Sequence, residues 1–112
     1  MTKVQATIRV DRLDAVVERL LTIGVQGLTV SDAHGFGRSN CHDVVFRGTL
    51  YEIDSRPKLV LEWVGADEDV DGVIRAIVRD AGTGQTGDGK IFVSPIDEVI
   101  SIRTGERGEA AL

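Results

Sequence analysis

The stretch Lys58-Leu59-Val60-Leu61-Glu62-Trp63-Val64 reads as a β-strand, and together with the residues just after it decides the fold. Leu59, Leu61 and Trp63 point one way, while Val60 and Val64 join Lys58 and Glu62 on the other, because strand side chains alternate between faces. Asp67 stands where a helix cap is expected. Val70, Val73, Ile74, Ile77, Val78 and Ala81 then recur at helical spacing up to Gly82. Ile91-Phe92-Val93 is the next strand, stopped by Pro95. This is one strand–helix–strand unit.

The same grammar occurs earlier in the chain. Val4, Ala6, Ile8 and Val10 alternate with Gln5, Thr7 and Arg9, the mark of a strand. Asp11 is placed to cap the next element, and Leu13, Val16, Val17, Leu20 and Ile23 fall at helical spacing before Gly24 ends it. Leu28-Thr29-Val30 opens a strand running towards Ala33-His34. A last short strand is expected over Val99-Ile100-Ser101-Ile102-Arg103, and Thr104 to Leu112 reads as a polar tail. Two such units in tandem predict an α+β, ferredoxin-like β-α-β-β-α-β sandwich, with both helices on one face of a four-stranded sheet. Apolar residues on both faces of the Lys58–Val64 strand imply burial on both sides. A second copy of the chain is therefore expected over the helix-free face.

Between the units runs a long connection, from about Phe36 to Pro57. Loops this long in a compact domain are usually functional or disordered. It carries Val44, Val45, Phe46, Leu50 and Tyr51 among its charges, which a purely solvated linker would lack. Ordering on a partner is the economical reading; a β-hairpin extension packed on its own molecule is the alternative. The other conspicuous segment is Thr83-Gly84-Gln85-Thr86-Gly87-Asp88-Gly89-Lys90, with three glycines in six positions and a lysine directly after. Glycine allows the turn, successive N–H groups can form an anion nest, and Lys90 adds a full positive charge. The segment is neither a Walker A loop nor the dinucleotide fingerprint, and by itself a glycine-rich hairpin loop reads equally well.

The whole chain narrows the classes. Its 112 residues make one domain (1–112), and 42% hydrophobic with 28% charged residues is ordinary globular composition. A net charge of −5 and no basic stripe exclude a nucleic-acid binder. Cys41 is the one cysteine, so no internal disulfide forms. No apolar run approaches the ~20 residues of a membrane span, and the N-terminus is not a signal peptide, which predicts a cytoplasmic protein. Cys41-His42-Asp43 has the composition of a catalytic group, but adjacent residues rarely face one another and no second cysteine or placed base supports a triad or metal site. His34 reads as a strand-end residue and Trp63 as core.

Five segments in order carry a specific likeness: Gly35-Phe36-Gly37-Arg38, Phe46-Arg47-Gly48 with Tyr51, Pro57-Lys58, Thr83-Gly84 with Gly87-Asp88-Gly89-Lys90-Ile91-Phe92-Val93, and Ile102-Arg103-Thr104-Gly105-Glu106. Together they closely resemble the PII signal-transduction proteins, over the whole chain and without apparent insertions. The resemblance implies a homotrimer with a nucleotide site in each cleft between subunits, where ATP and ADP compete, Mg²⁺ accompanies ATP and 2-oxoglutarate binds beside Mg-ATP in many members. It names the long connection the T-loop (about 37–56), which docks on targets such as an ammonium transporter or nitrogen-metabolism enzymes. Such docking would bring a cytoplasmic protein to the membrane through the transporter.

Residue by residue, the resemblance implies phosphate contacts from the 82–90 loop through Gly87, Asp88, Gly89 and Lys90, and from Arg103 in the C-terminal segment (101–112). It places Gly37 and Arg38 on the nucleotide at the root of the T-loop, and Thr29, Glu62 and Val64 around the base. Lys58 matches the lysine that meets the 2-oxoglutarate carboxylate, and Tyr51 matches the tyrosine that is uridylylated or adenylylated in many bacteria. Four departures accompany these matches. In the first strand Arg9-Val10 stands where a Lys-Pro pair is usual. Ser39 stands where a glutamine commonly helps to hold Mg²⁺ and 2-oxoglutarate, and serine is too short to reach the same place. Cys41 replaces a common glycine, and Ser101 replaces a phosphate-binding arginine. These changes count against 2-oxoglutarate sensing. The alternative they favour is a divergent PII-like adenine-nucleotide sensor with a different second ligand and a target outside nitrogen assimilation. An enzyme is the contrary class, yet the only base near the glycine loop is Asp88, and an aspartate between two glycines is usually a turn residue.

Overall fold

The computed structural model describes residues 1–35 and 56–112 in full, and the backbone of 42–46 and 49–53. In chain order the elements are β1 (Thr2–Arg9), α1 (Leu13–Thr22), β2 (Thr29–His34), β3 (His42–Phe46), β4 (Thr49–Ile53), β5 (Pro57–Gly65), α2 (Val70–Ala81) and β6 (Lys90–Pro95). Short 3₁₀ turns cover Val10–Arg12, Asp67–Asp69 and Gly108–Ala111. The main sheet runs β2-β5-β1-β6 with every neighbouring pair antiparallel, which is the ferredoxin-like arrangement.

Register explains why the alternating residues end up in one core. Val4, Ala6 and Ile8 of β1 face Trp63, Leu61 and Leu59 of β5 rung for rung. Onto these pack Val16 and Leu20 from α1 and Val73, Ala76, Ile77 and Ala81 from α2, in a single buried cluster. Each large aliphatic side chain so buried contributes about 1.5–3 kcal/mol. Trp63 is half-buried against this cluster, as a core residue rather than a platform. An ion pair of 2.8 Å between Arg19 and Asp80 ties the two helices together.

The helix ends obey local chemistry that differs in part from expectation. Gly24 does end α1: it adopts φ 98°, its N–H donates to Leu21, and the N–H of Val25 reaches back to Leu20. This is a Schellman closure, which satisfies the last carbonyls of the helix. Asp11 and Asp67, by contrast, cap nothing. Both sit inside 3₁₀ turns that precede the helices, and neither helix start has a side-chain cap. Asp67 instead accepts from the Thr2 hydroxyl at 2.5 Å and meets the N-terminal ammonium at 3.1 Å.

Two other expectations are corrected or filled in. Residues 99–103 form no strand. Ile100 makes one isolated bridge to Arg107, and the segment turns on itself through Gly105 N–H to Ser101 C=O at 2.8 Å. The polar tail after it ends in the 3₁₀ turn at Gly108–Ala111. The long connection holds a hairpin, with β3 and β4 paired from His42↔Ile53 to Phe46↔Thr49 as a separate two-stranded sheet. Among the described residues no helix is long and apolar enough to cross a membrane.

Candidate ligand-binding site

The loop from Gly82 to Lys90 joins α2 to β6, and three of its glycines take left-handed backbone angles: Gly84 at 81°, Gly87 at 97° and Gly89 at 105°. Gly89 is also pressed against β1. A Cβ there would lie 1.7 Å from the carbonyl oxygen of Thr7, so only glycine fits.

Asp88 organises the turn. Its carboxylate accepts the N–H of Thr83 at 2.7 Å, the N–H of Gly84 at 2.9 Å and the hydroxyl of Thr83, while Arg9 Nε donates to it at 3.0 Å. The Thr83 hydroxyl first, then its amide and Arg9, hold the Asp88 carboxyl well below the usual aspartate range. Asp88 thus acts as a turn residue, and its oxygens are spent inside the loop.

Two cations reach the loop from the sheet. Arg9 and Lys58 are direct cross-strand partners in the β1–β5 register. Arg9 Nη2 donates to the Thr86 carbonyl at 2.8 Å, and Lys58 Nζ donates to the Gly87 carbonyl at 2.6 Å. Lys58 is only 5% exposed, although it lies on the helix-free face. Lys90 is different. It stands exposed at the loop exit, paired through its backbone with Thr7, and its ammonium has no hydrogen bond or ion pair among the described residues.

One chain therefore brings together Lys58, Gly87, Asp88, Gly89 and Lys90. Thr29, Glu62 and Val64 form a second group farther along the same face. Thr29 and Glu62 are register partners, and Glu62 pairs with Lys3 at 3.7 Å. Glu62 lies four positions along the strand from Lys58, about 13 Å at the rise of a β-strand. Arg103 is exposed in the turn after residue 101 and bonds to neither group. Ser101 uses its hydroxyl to accept from the Thr104 N–H at 3.4 Å. Gly37, Arg38, Ser39 and Cys41 lie outside the described residues, as does the Tyr51 side chain, whose backbone is in β4. Among the described residues no cluster of His, Cys, Asp or Glu is fit to hold a metal.

Arg9 is the residue that sequence reasoning missed. It counted only as a polar position of the first strand and as half of an Arg9-Val10 pair where the family usually has Lys-Pro, with no role at the loop. The signal that singles it out, its register opposite Lys58, exists only once β1 and β5 are paired.

The family model described as "Nitrogen regulatory protein P-II" matches residues 1–106. The chain is 50% identical to the nitrogen regulatory protein P-II of Rhizobium meliloti (strain 1021) and 46% identical to that of Azospirillum brasilense, each over 100% of both chains. It is also similar to the crystal structure of Arabidopsis thaliana PII bound to citrate, with a TM-score of 0.79 and 41% identity over 99% of this chain and 91% of that one. The chain belongs to the nitrogen regulatory protein P-II family, and is a signal-transduction regulator rather than an enzyme.

Proposed function

We propose that the protein binds ATP or ADP in clefts between the subunits of a homotrimer and reports the bound state to a target through the 37–56 connection. The observation that carries this reading is the division of labour in the glycine loop. Asp88, Arg9 and Lys58 are spent on holding the loop, whereas Lys90 and the N–H groups beside it are left for an anion. A phosphate chain there would gain about 1.5–3 kcal/mol for each charge-assisted hydrogen bond.

The separation of Thr29, Glu62 and Val64 from the loop, and of Arg103 from both, fits a site completed by a second chain. Phe92, 58% exposed on the same helix-free face as Val60 and Val64, fits the same assembly, because a sheet face carrying such residues is stabilised by cover. Gly37 and Arg38 are assigned to the nucleotide at the root of the connection, and Tyr51 to its modifiable position. Nucleotide would act by favouring one conformation of the connection, by no more than its difference in affinity for the two. The target is an ammonium transporter or an enzyme of nitrogen metabolism, met in the cytoplasm or at the membrane beside the transporter.

A second reading differs in the second ligand. Ser39 and Cys41 alter the loop root, and Ser101 spends its hydroxyl within its own turn, where a cation would reach out. On this reading the chain senses adenine nucleotides with a small molecule other than 2-oxoglutarate. Calorimetric titration separates the two. ATP and ADP are expected to bind in either case; 2-oxoglutarate is then added to protein saturated with ATP and Mg²⁺. Micromolar binding of 2-oxoglutarate supports carbon–nitrogen sensing. No binding supports the second reading, and failure of both nucleotides to bind contradicts the proposal as a whole.

A further inference from the structure

Resting on the nucleotide reading, we propose that Arg9 is the positioning residue of the glycine loop: from β1 it fixes the peptides after Thr86 and around Asp88 so that the N–H groups of Gly87 and Asp88 face a ligand phosphate.

The directions of these groups are set by peptide geometry. In a trans peptide the carbonyl of one residue and the N–H of the next point in opposite directions. Arg9 Nη2 holds the Thr86 carbonyl at 2.8 Å, and Lys58 Nζ holds the Gly87 carbonyl at 2.6 Å. Both carbonyls are therefore drawn to the sheet, and the N–H groups of Gly87 and Asp88 are turned away from it. Neither N–H donates to any described residue. Two consecutive amides directed away from the cations that hold their carbonyls make an anion nest next to Lys90.

Arg9 does this without touching the ligand itself. Its side chain is only 13% exposed, and two of its nitrogens are committed, Nε to Asp88 and Nη2 to Thr86. The planar guanidinium suits this because its donors form a rigid fork: one prong sets Asp88, and the other sets the peptide two residues earlier. A lysine ammonium is a point charge and cannot hold both acceptors in fixed relation. Asp88 passes the constraint on to the far side of the turn through the amides of Thr83 and Gly84.

The test uses the full chain with Arg9→Gln and Arg9→Lys, read by ATP and ADP calorimetry and by amide hydrogen exchange of the ligand-free protein. Arg9→Gln is expected to weaken ATP and ADP at least tenfold. It should also speed exchange at the Thr83 and Gly84 amides at least tenfold, with the Val4 and Ile8 amides unchanged. Arg9→Lys is expected to recover less than half of either loss. Nucleotide affinity within twofold of the parent in Arg9→Gln overturns the proposal, and so does full recovery by lysine, which would reduce the role to charge. Lost affinity with unchanged loop exchange also overturns it, since Arg9 would then be a ligand contact. If the parent protein binds no nucleotide, the functional reading fails, while the exchange rates still decide whether Arg9 sets the loop.

Discussion

The ammonium group of Lys58 donates to the carbonyl oxygen of Gly87 at 2.6 Å, across 29 residues of chain. A buried cation on β5 thus holds the turn between α2 and β6, and the sheet and the ligand loop are mechanically one unit. Lys58→Met should leave the Gly87 carbonyl without its donor and cost about 1 kcal/mol or more of stability. Urea unfolding at matched protein concentration measures it, because an oligomer's stability depends on concentration.

The Asp88 carboxylate sets a pH dependence of definite sign. Its pKa in the folded state lies below the ordinary value of 3.8, so the unfolded chain takes up the proton first as pH falls. The stabilisation is therefore complete above about pH 5 and declines as the solution is acidified through the unfolded value towards the folded one. Thermal midpoints of the parent and Asp88→Asn are expected to differ by a constant amount from pH 5 to 7 and to converge below about pH 4. A difference that grows on acidification would show the sign to be wrong.

Gly84 and Gly89 separate strain from collision. Both have positive φ, but a Cβ at 84 meets nothing within 4 Å, whereas one at 89 meets the Thr7 carbonyl at 1.7 Å. Gly84→Ala should cost the strain alone, about 1 kcal/mol or a little more. Gly89→Ala must also push β6 off β1 and should lower the melting temperature further, or prevent folding. Equal effects from the two substitutions would contradict the close approach of loop and strand.

Trp63 and Gly65 are matched in the same way. A Cβ at Gly65 would stand 2.0 Å from Cζ2 of the Trp63 indole. Gly65→Ala is expected to destabilise by about 1–3 kcal/mol through overpacking. Adding Trp63→Leu should recover part of that loss, a coupling that a double-mutant cycle measures directly.

What the sequence made legible was the part governed by periodicity. Val4, Ala6 and Ile8, and the stripes through Leu20 and Ile77, declare their faces because burial on one side repeats every two or every 3.6 residues. The same signal misled at 99–103, where Val99, Ile100 and Ile102 look like a strand. There Ser101 and Gly105, the latter at φ 73°, offer local hydrogen bonds that close a turn before any strand partner is found. Asp11 and Asp67 were legible as acids near helix starts, but they lie within 3₁₀ turns that leave them short of the capping positions, which Arg12 and Asp69 occupy. Gly89 and Lys90 were readable as an anion loop; the bracing by Arg9 and Lys58 was not, since it depends on strand register across the sheet.

The most direct measurement is the affinity of the parent protein and of Lys90→Ala for ATP and ADP by titration calorimetry. Lys90 is exposed, uncommitted and outside the bracing network, so its removal should spare the fold. Saturable binding to the parent is expected, with a loss of about 10- to 150-fold in the variant, the equivalent of one charge-assisted hydrogen bond. Unchanged affinity in a folded Lys90→Ala protein would contradict a phosphate site at the glycine loop.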